Sequence, residues 1–142
     1  MKRTIHIEAP VEAVFDSFKD PAKFMELGPT GTRVDDVRIT KEGVGTYMSW
    51  HSKIAGLPIR GFDVYTDVVP KKHITERSSN PLVGTWDYDF EPEGSGTKLT
   101  MEHHPGSFWR LPPLRNLVEL AVGNMSASYM PRVKDAIETQ GK

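Results

Sequence analysis

Leu114, Val118, Ala121, Met125, Tyr129, Val133 and Ile137 lie along one stripe at helical spacing, and no other part of the chain offers an apolar helix of that length. Between residue 33 and residue 105 the pattern is that of strands, punctuated by Gly, Pro and Asn. A one-faced antiparallel sheet must bury its apolar face against something. The only large apolar object available is the C-terminal helix, so the sheet has to curl round it. Gly123 and Pro131 strain that helix. Pro131 would leave the carbonyl of Ala127 unbonded, which predicts a bend or a short break.

The other elements follow from local signals. Residues 2–8 alternate, with Ile5 and Ile7 on one face, and read as a first strand. Pro10 then precedes Val11, Val14, Phe15 and Phe18 at helical spacing, a short helix ending near residue 19. Asp20 as a cap and Pro21 at a first helical position predict a second short helix over 22–27. Six more strands follow. The first holds Val34, Val37 and Ile39, with an irregularity at Asp35-Asp36; the others span 46–53, 59–69, 72–79, 82–91 and 97–104. The 142 residues have the length of one domain, 1–142, large enough to bury a core without metal or disulfide staples.

Charge and composition narrow the function. Eighteen Lys and Arg against nineteen Asp and Glu leave a net charge of −1, so no global basic field attracts nucleic acid. There is no cysteine, which removes disulfide scaffolds, thiolate metal sites and cysteine nucleophiles, and fits a reducing, cytoplasmic setting. No stretch reaches the roughly 20 apolar residues of a membrane span. Lys2-Arg3 is not followed by the apolar run of a signal peptide.

Period-two alternation assigns the inner face of the sheet. Trp86, Tyr88 and Phe90 face in, as do Leu99, Met101 and His103. For the 59–69 strand, parity from Val68 places Phe62, Val64 and Thr66 inside and Asp63 and Asp67 outside. Met48 and Trp50 are chosen in the 46–53 strand. Ile74 faces in, and parity brings Glu76 with it. The turns then set registers. Phe90 pairs with Leu99, Tyr88 with Met101, Trp86 with His103, Val68 with Ile74, and Thr66 with Glu76. A lateral row results: Thr66, Glu76, Trp86, His103.

The element order and several local motifs resemble the START/Bet v 1-like superfamily, also called SRPBCC or polyketide cyclase/dehydrase-like. The motifs are Ile7-Glu8-Ala9-Pro10-Val11-Glu12-Ala13-Val14-Phe15, Asp20-Pro21, Gly43-Val44-Gly45-Thr46, Val68-Val69-Pro70, Trp86-Asp87-Tyr88-Asp89-Phe90-Glu91-Pro92 and Gly96-Thr97-Lys98-Leu99-Thr100. The resemblance implies an α+β helix-grip fold. In it a seven-stranded curved antiparallel sheet surrounds a long C-terminal helix, with two short helices between strands one and two. It also implies a cavity between sheet and helix, and it carries no universal catalytic motif. The iron site of the ring-hydroxylase members has no counterpart here.

Three functions are open at this level. The first is binding of a small hydrophobic molecule, aromatic or lipid-like, by Met48, Trp50, Phe62, Val64, Thr66, Glu76, Trp86, Tyr88, Met101, His103, Met125 and Tyr129. The second is a cyclase/dehydratase-type enzyme with Glu76 or His103 as acid/base, because burial and a nearby partner move such groups toward neutrality. The third is a chaperone-regulator-like interaction module using the aromatic loop around Phe108 and Trp109. A metal at Glu102-His103-His104 is disfavoured, since neighbouring strand residues point to opposite faces. His6, His51 and His73 read as scattered surface residues. No cofactor, nucleic acid or membrane span is expected, and the chain is expected as a monomer or homodimer.

Overall fold

The computed structural model describes residues 2–27, 32–54, 56–80, 83–106 and 114–140. The strands are β1 (Lys2–Ile7), β2 (Arg33–Arg38), β3 (Tyr47–Ile54), β4 (Leu57–Val69), β5 (His73–Ser78), β6 (Thr85–Glu93) and β7 (Gly96–His104). They form one antiparallel sheet in the order β1-β7-β6-β5-β4-β3-β2. Each neighbour from β2 to β7 is joined by a direct connection, and β1 closes on β7 at the far side. Between β1 and β2 lie helix α1 (Val11–Ser17) and a single 3₁₀ turn over Met25–Leu27. The second short helix expected over 22–27 therefore shrinks to that turn. Asp20 does cap this segment, its carboxylate accepting the Ala22 N–H at 2.9 Å.

Helix α2 (Leu114–Gln140) runs through Pro131 without interruption, so the short break expected there does not occur. A run of helical hydrogen bonds on either side is enough to carry one missing N–H. Met130, Val133 and Ile137 are buried in one cluster with Ile7, Phe15, Phe18, Ile74, Tyr88, Phe90, Leu99 and Met101. The C-terminal half of α2 thus covers the inner face of the sheet.

At one end of that face the packing is entirely apolar. The Phe90 ring stands edge-on to Phe15 and Phe18, each with centroids 5.4 Å away, and Phe18 also tilts against Tyr88. Helix α1 supplies this plug because Val14, Phe15 and Phe18 share one of its faces. Hairpin β4–β5 closes through Lys71, whose φ of 63 puts a non-glycine side chain in the left-handed region, while Lys72 N–H bonds back to the Val69 carbonyl at 3.0 Å.

The registers across β5, β6 and β7 are Trp86 with His103, Tyr88 with Met101, Phe90 with Leu99, Val68 with Ile74 and Glu76 with Trp86. Strand β4 departs from the sequence reading. Tyr65 pairs with Glu76 and Asp67 with Thr75, so Thr66 is an extra residue in a bulge. The bulge reverses the alternation: Val68 faces the core after it, but Asp63 and Tyr65 face the core before it. Phe62, Val64 and Thr66, expected inside, lie on the outer face instead. Phe62 and Thr66 are exposed there, and the Phe62 ring packs on Tyr47 at 5.5 Å. The irregularity expected at Asp35-Asp36 is a second bulge, between Val34 and Asp36.

Candidate functional site

The lateral row on the inner face is Tyr65, Glu76, Trp86, His103, one residue from each of β4, β5, β6 and β7. Tyr65 stands where Thr66 was expected. Glu76 and His103 are both buried, with Trp86 between them on the ladder. Two strand spacings, about 10 Å, separate their backbones. The Trp86 and His103 rings tilt against each other with centroids 4.5 Å apart.

Glu76 is bound to the neighbouring strand, not to the imidazole. The Tyr88 hydroxyl donates to its Oε2 at 3.4 Å, and the Asp63 carboxyl lies near enough to act on it electrostatically. Asp63 in turn accepts the Trp50 indole N–H at 2.9 Å. Burial pushes the Glu76 carboxyl well above its usual range, and the charge of Asp63 adds to the rise. The protonated form of Glu76 is therefore favoured beyond the usual carboxylate range. The phenols of Tyr65 and Tyr88 are pushed up by burial and by Glu76. Tyr65 donates to the Phe18 carbonyl at 2.6 Å, which ties the row to the end of α1. His103 bonds through Nε2 to the Val83 carbonyl, and burial lowers its pKa, so the ring is neutral.

Met48, Trp50, Tyr88 and Met101 are buried on the inner face; Trp86 and Tyr129 are partly buried against the same core. The Met125 side chain and the loop bearing Phe108 and Trp109 lie outside the described residues. Sequence reading missed Asp63 and Tyr65. Their signal was the odd spacing from Tyr65 to Val68, both large and apolar-bodied, which only a bulge reconciles with a single buried face.

The other histidines hold carboxylates on the outside of the sheet. His73 Nδ1 meets Asp89 at 2.7 Å and His104 Nε2 meets Asp87 at 2.9 Å. His51 pairs with Asp35, and His6 with Glu8 and Glu93, which raise its pKa. His103 and His104 point to opposite faces. Among the described residues no three His, Asp or Glu side chains come together as a metal cage. No helix of the described residues is long and apolar enough to cross a membrane.

A curled antiparallel sheet gripping one long helix, with a mixed aromatic and polar inner face, defines the helix-grip class. Residues 1–138 match the family model described as polyketide cyclase / dehydrase and lipid transport. The chain belongs to that family, within the START/Bet v 1-like (SRPBCC) superfamily. A curated relative, an uncharacterized protein of Mycobacterium tuberculosis, is 29% identical over 108 residues, 73% of this chain and 47% of its own length. The chain thus spans about half the length of the curated relatives it matches. Among solved structures, a protein from Nitrosomonas europaea superposes with a TM-score of 0.71 at 18% identity, covering 100% of this chain and 95% of its own. The ZhuI aromatase/cyclase from Streptomyces sp. R1128 gives 0.69 at 19% identity, covering 100% and 94%. At these identities the likeness shows the fold.

Proposed function

We propose that the chain binds a small hydrophobic molecule, aromatic or lipid-like, between the inner face of the sheet and α2. The observation that carries this reading is the polar cluster of Trp50, Asp63, Glu76 and Tyr88 set among the apolar side chains of the inner face. A buried carboxyl pair contributes less to stability than well-packed apolar side chains of the same volume would. Such pairs concentrate where a protein meets a ligand. Indole and phenol groups around it give an apolar body with polar handles, the composition of small-molecule sites. The family description, with its lipid transport, supports the same class of ligand. The chain acts as a single domain, monomer or homodimer, and its lack of cysteine suits the cytoplasm.

A second reading is favoured by one feature. A Glu76 whose carboxyl is pushed by burial toward its protonated form suits a general acid, as a cyclase or dehydratase requires. Glu76→Gln separates the two: a carrier keeps its affinity within a few-fold, whereas an enzyme keeps binding and loses turnover.

The neutral fluorophore N-phenylnaphthylamine tests the binding site. It should bind the wild-type chain with enhanced emission, and Trp86→Ala, still folded by circular dichroism, should weaken it about tenfold or more, as expected for loss of an aromatic wall. Emission unchanged by the protein, or an unaltered affinity in Trp86→Ala, would remove the inner face as the site.

A further inference from the structure

We propose that His6 is a pH-operated clasp. It holds the β6–β7 hairpin and the last turns of α2 against the end of β1 while its ring carries a proton on both nitrogens, and it loosens when one is lost. The clasp lies outside the binding face described above and does not depend on that function.

The geometry of the ring carries the proposal. His6 Nδ1 lies 2.6 Å from Glu93 Oε1, at the end of β6, and Nε2 lies 2.6 Å from Glu8 Oε1, immediately after β1. An ionised carboxylate only accepts, so both nitrogens can meet one as donors only in the imidazolium form. A neutral imidazole has a single N–H and turns a lone pair toward one of the two carboxylates. The hydrogen bonds to Glu93 and Glu8 accordingly raise the His6 pKa above the usual histidine value. The seat is shaped for a ring as well. Gly96, the first residue of β7, is buried, and a Cβ there would stand 2.7 Å from His6 Cε1 and Nε2 and 2.5 Å from the Ile7 carbonyl oxygen. A side chain at that position would push the ring off the hairpin.

The backbone on either side of the ring links it to the helix. Lys134 Nζ donates to the His6 carbonyl at 3.0 Å and to Glu138 Oε2 at 2.6 Å, and that same Glu138 oxygen accepts the Glu8 N–H at 3.1 Å. Lys98, opposite His6 in the β1–β7 register, pairs with Glu91 at 3.7 Å. The charged groups around the ring are thus Glu8 from its own strand end, Glu93 from β6, Lys98 from β7, and Lys134 and Glu138 from α2. Directly inside this junction, Ile7 of β1 and Ile137 of α2 belong to the buried core. The imidazolium is the one group that bridges Glu8 and Glu93. Once it is neutral, one of those bonds is lost, the two carboxylates repel across the ring, and the Glu8 backbone is freer to leave Glu138.

Two readings on the full chain between about pH 5 and pH 9 test the clasp: NMR titration of the His6 ring, and amide hydrogen exchange of Glu8, expressed as a protection factor so that the intrinsic effect of pH drops out. His6 should titrate above the usual value of about 6.5. Protection of the Glu8 amide should fall about threefold or more in step with that titration, the scale of an exposed charge pair. Glu93→Gln keeps an acceptor but removes one charge, and should move both midpoints to lower pH together. His6→Gln should hold Glu8 at the low, loosened protection with no response across the range. A His6 midpoint at or below about 6.5, or Glu8 protection that stays flat while His6 titrates, overturns the proposal. So does a His6→Gln chain that keeps the wild-type response, or a Glu93→Gln chain whose midpoints do not move.

Discussion

Replacing Phe90 by alanine is expected to destabilise the fold by about 3–5 kcal/mol, the usual loss for a fully enclosed phenylalanine. Phe90 is 2% exposed and its ring meets Phe15 and Phe18 at 5.4 Å each. The cost has two parts. Transfer of the ring to water is lost, and a cavity opens beneath α1 that a short helix tied at both ends cannot collapse into. Trp86, four residues earlier on the same face, is a larger side chain but only partly buried. Its replacement by alanine should cost less than half as much. Chemical denaturation of both variants measures the contrast. It separates the closed end of the grip from the end proposed to take up a ligand. Equal losses at the two positions would mean that Trp86 is ordinary core.

The stability of the wild-type chain should fall as pH rises above the usual carboxylate range, and Glu76→Gln should abolish that fall. The folded-state pKa of Glu76 is raised above its unfolded value, so the folded chain holds a proton that the unfolded chain has released. The stabilising contribution is complete below about pH 4 and is lost as pH climbs through the folded pKa. The loss is up to about 1.4 kcal/mol per pH unit while that one proton is the difference between the states. Glutamine keeps hydrogen-bonding capacity and carries no titratable proton. Thermal unfolding between about pH 4 and pH 9 should therefore show the two chains diverging as pH rises from the acid end. At the alkaline end Glu76→Gln should melt several degrees higher. His6, whose pKa is raised by Glu93 and Glu8, acts in the same direction on the outside of the sheet, but both chains share it. Curves that stay parallel to the alkaline limit would mean that Glu76 is ionised in the folded protein.

Much of the architecture is written in local signals. The hairpin turns at Pro70-Lys71 and Gly94-Ser95 fix the pairing of Val68 with Ile74 and of Phe90 with Leu99, because turn length sets register. The stripe through Tyr129, Val133 and Ile137 gives the helix that covers them. What local pattern does not carry is a change of parity within a strand. Counting back from Val68 gives a self-consistent set, Phe62, Val64 and Thr66, and it is the wrong face. The bulge at Thr66 is stabilised by the whole sheet, where Tyr65 can reach the Phe18 carbonyl and Asp63 the Trp50 indole. These are contacts between residues 47 and 13 positions apart, which spacing along β4 does not reveal. For that reason the row through Glu76, Trp86 and His103 was legible, whereas the carboxyl partner of Glu76 was not.

The central claim is that a small hydrophobic molecule enters between the inner face and α2. Methyl NMR of a chain labelled at Met and Ile, titrated with N-phenylnaphthylamine, reads the location directly. The largest shift changes should fall on Met48, Met101 and Ile74, which line the inner face, while Ile39, 54% exposed at the margin of the sheet, stays still. Shifts centred on Ile39, or an inner set that does not move at saturating ligand, would contradict the account.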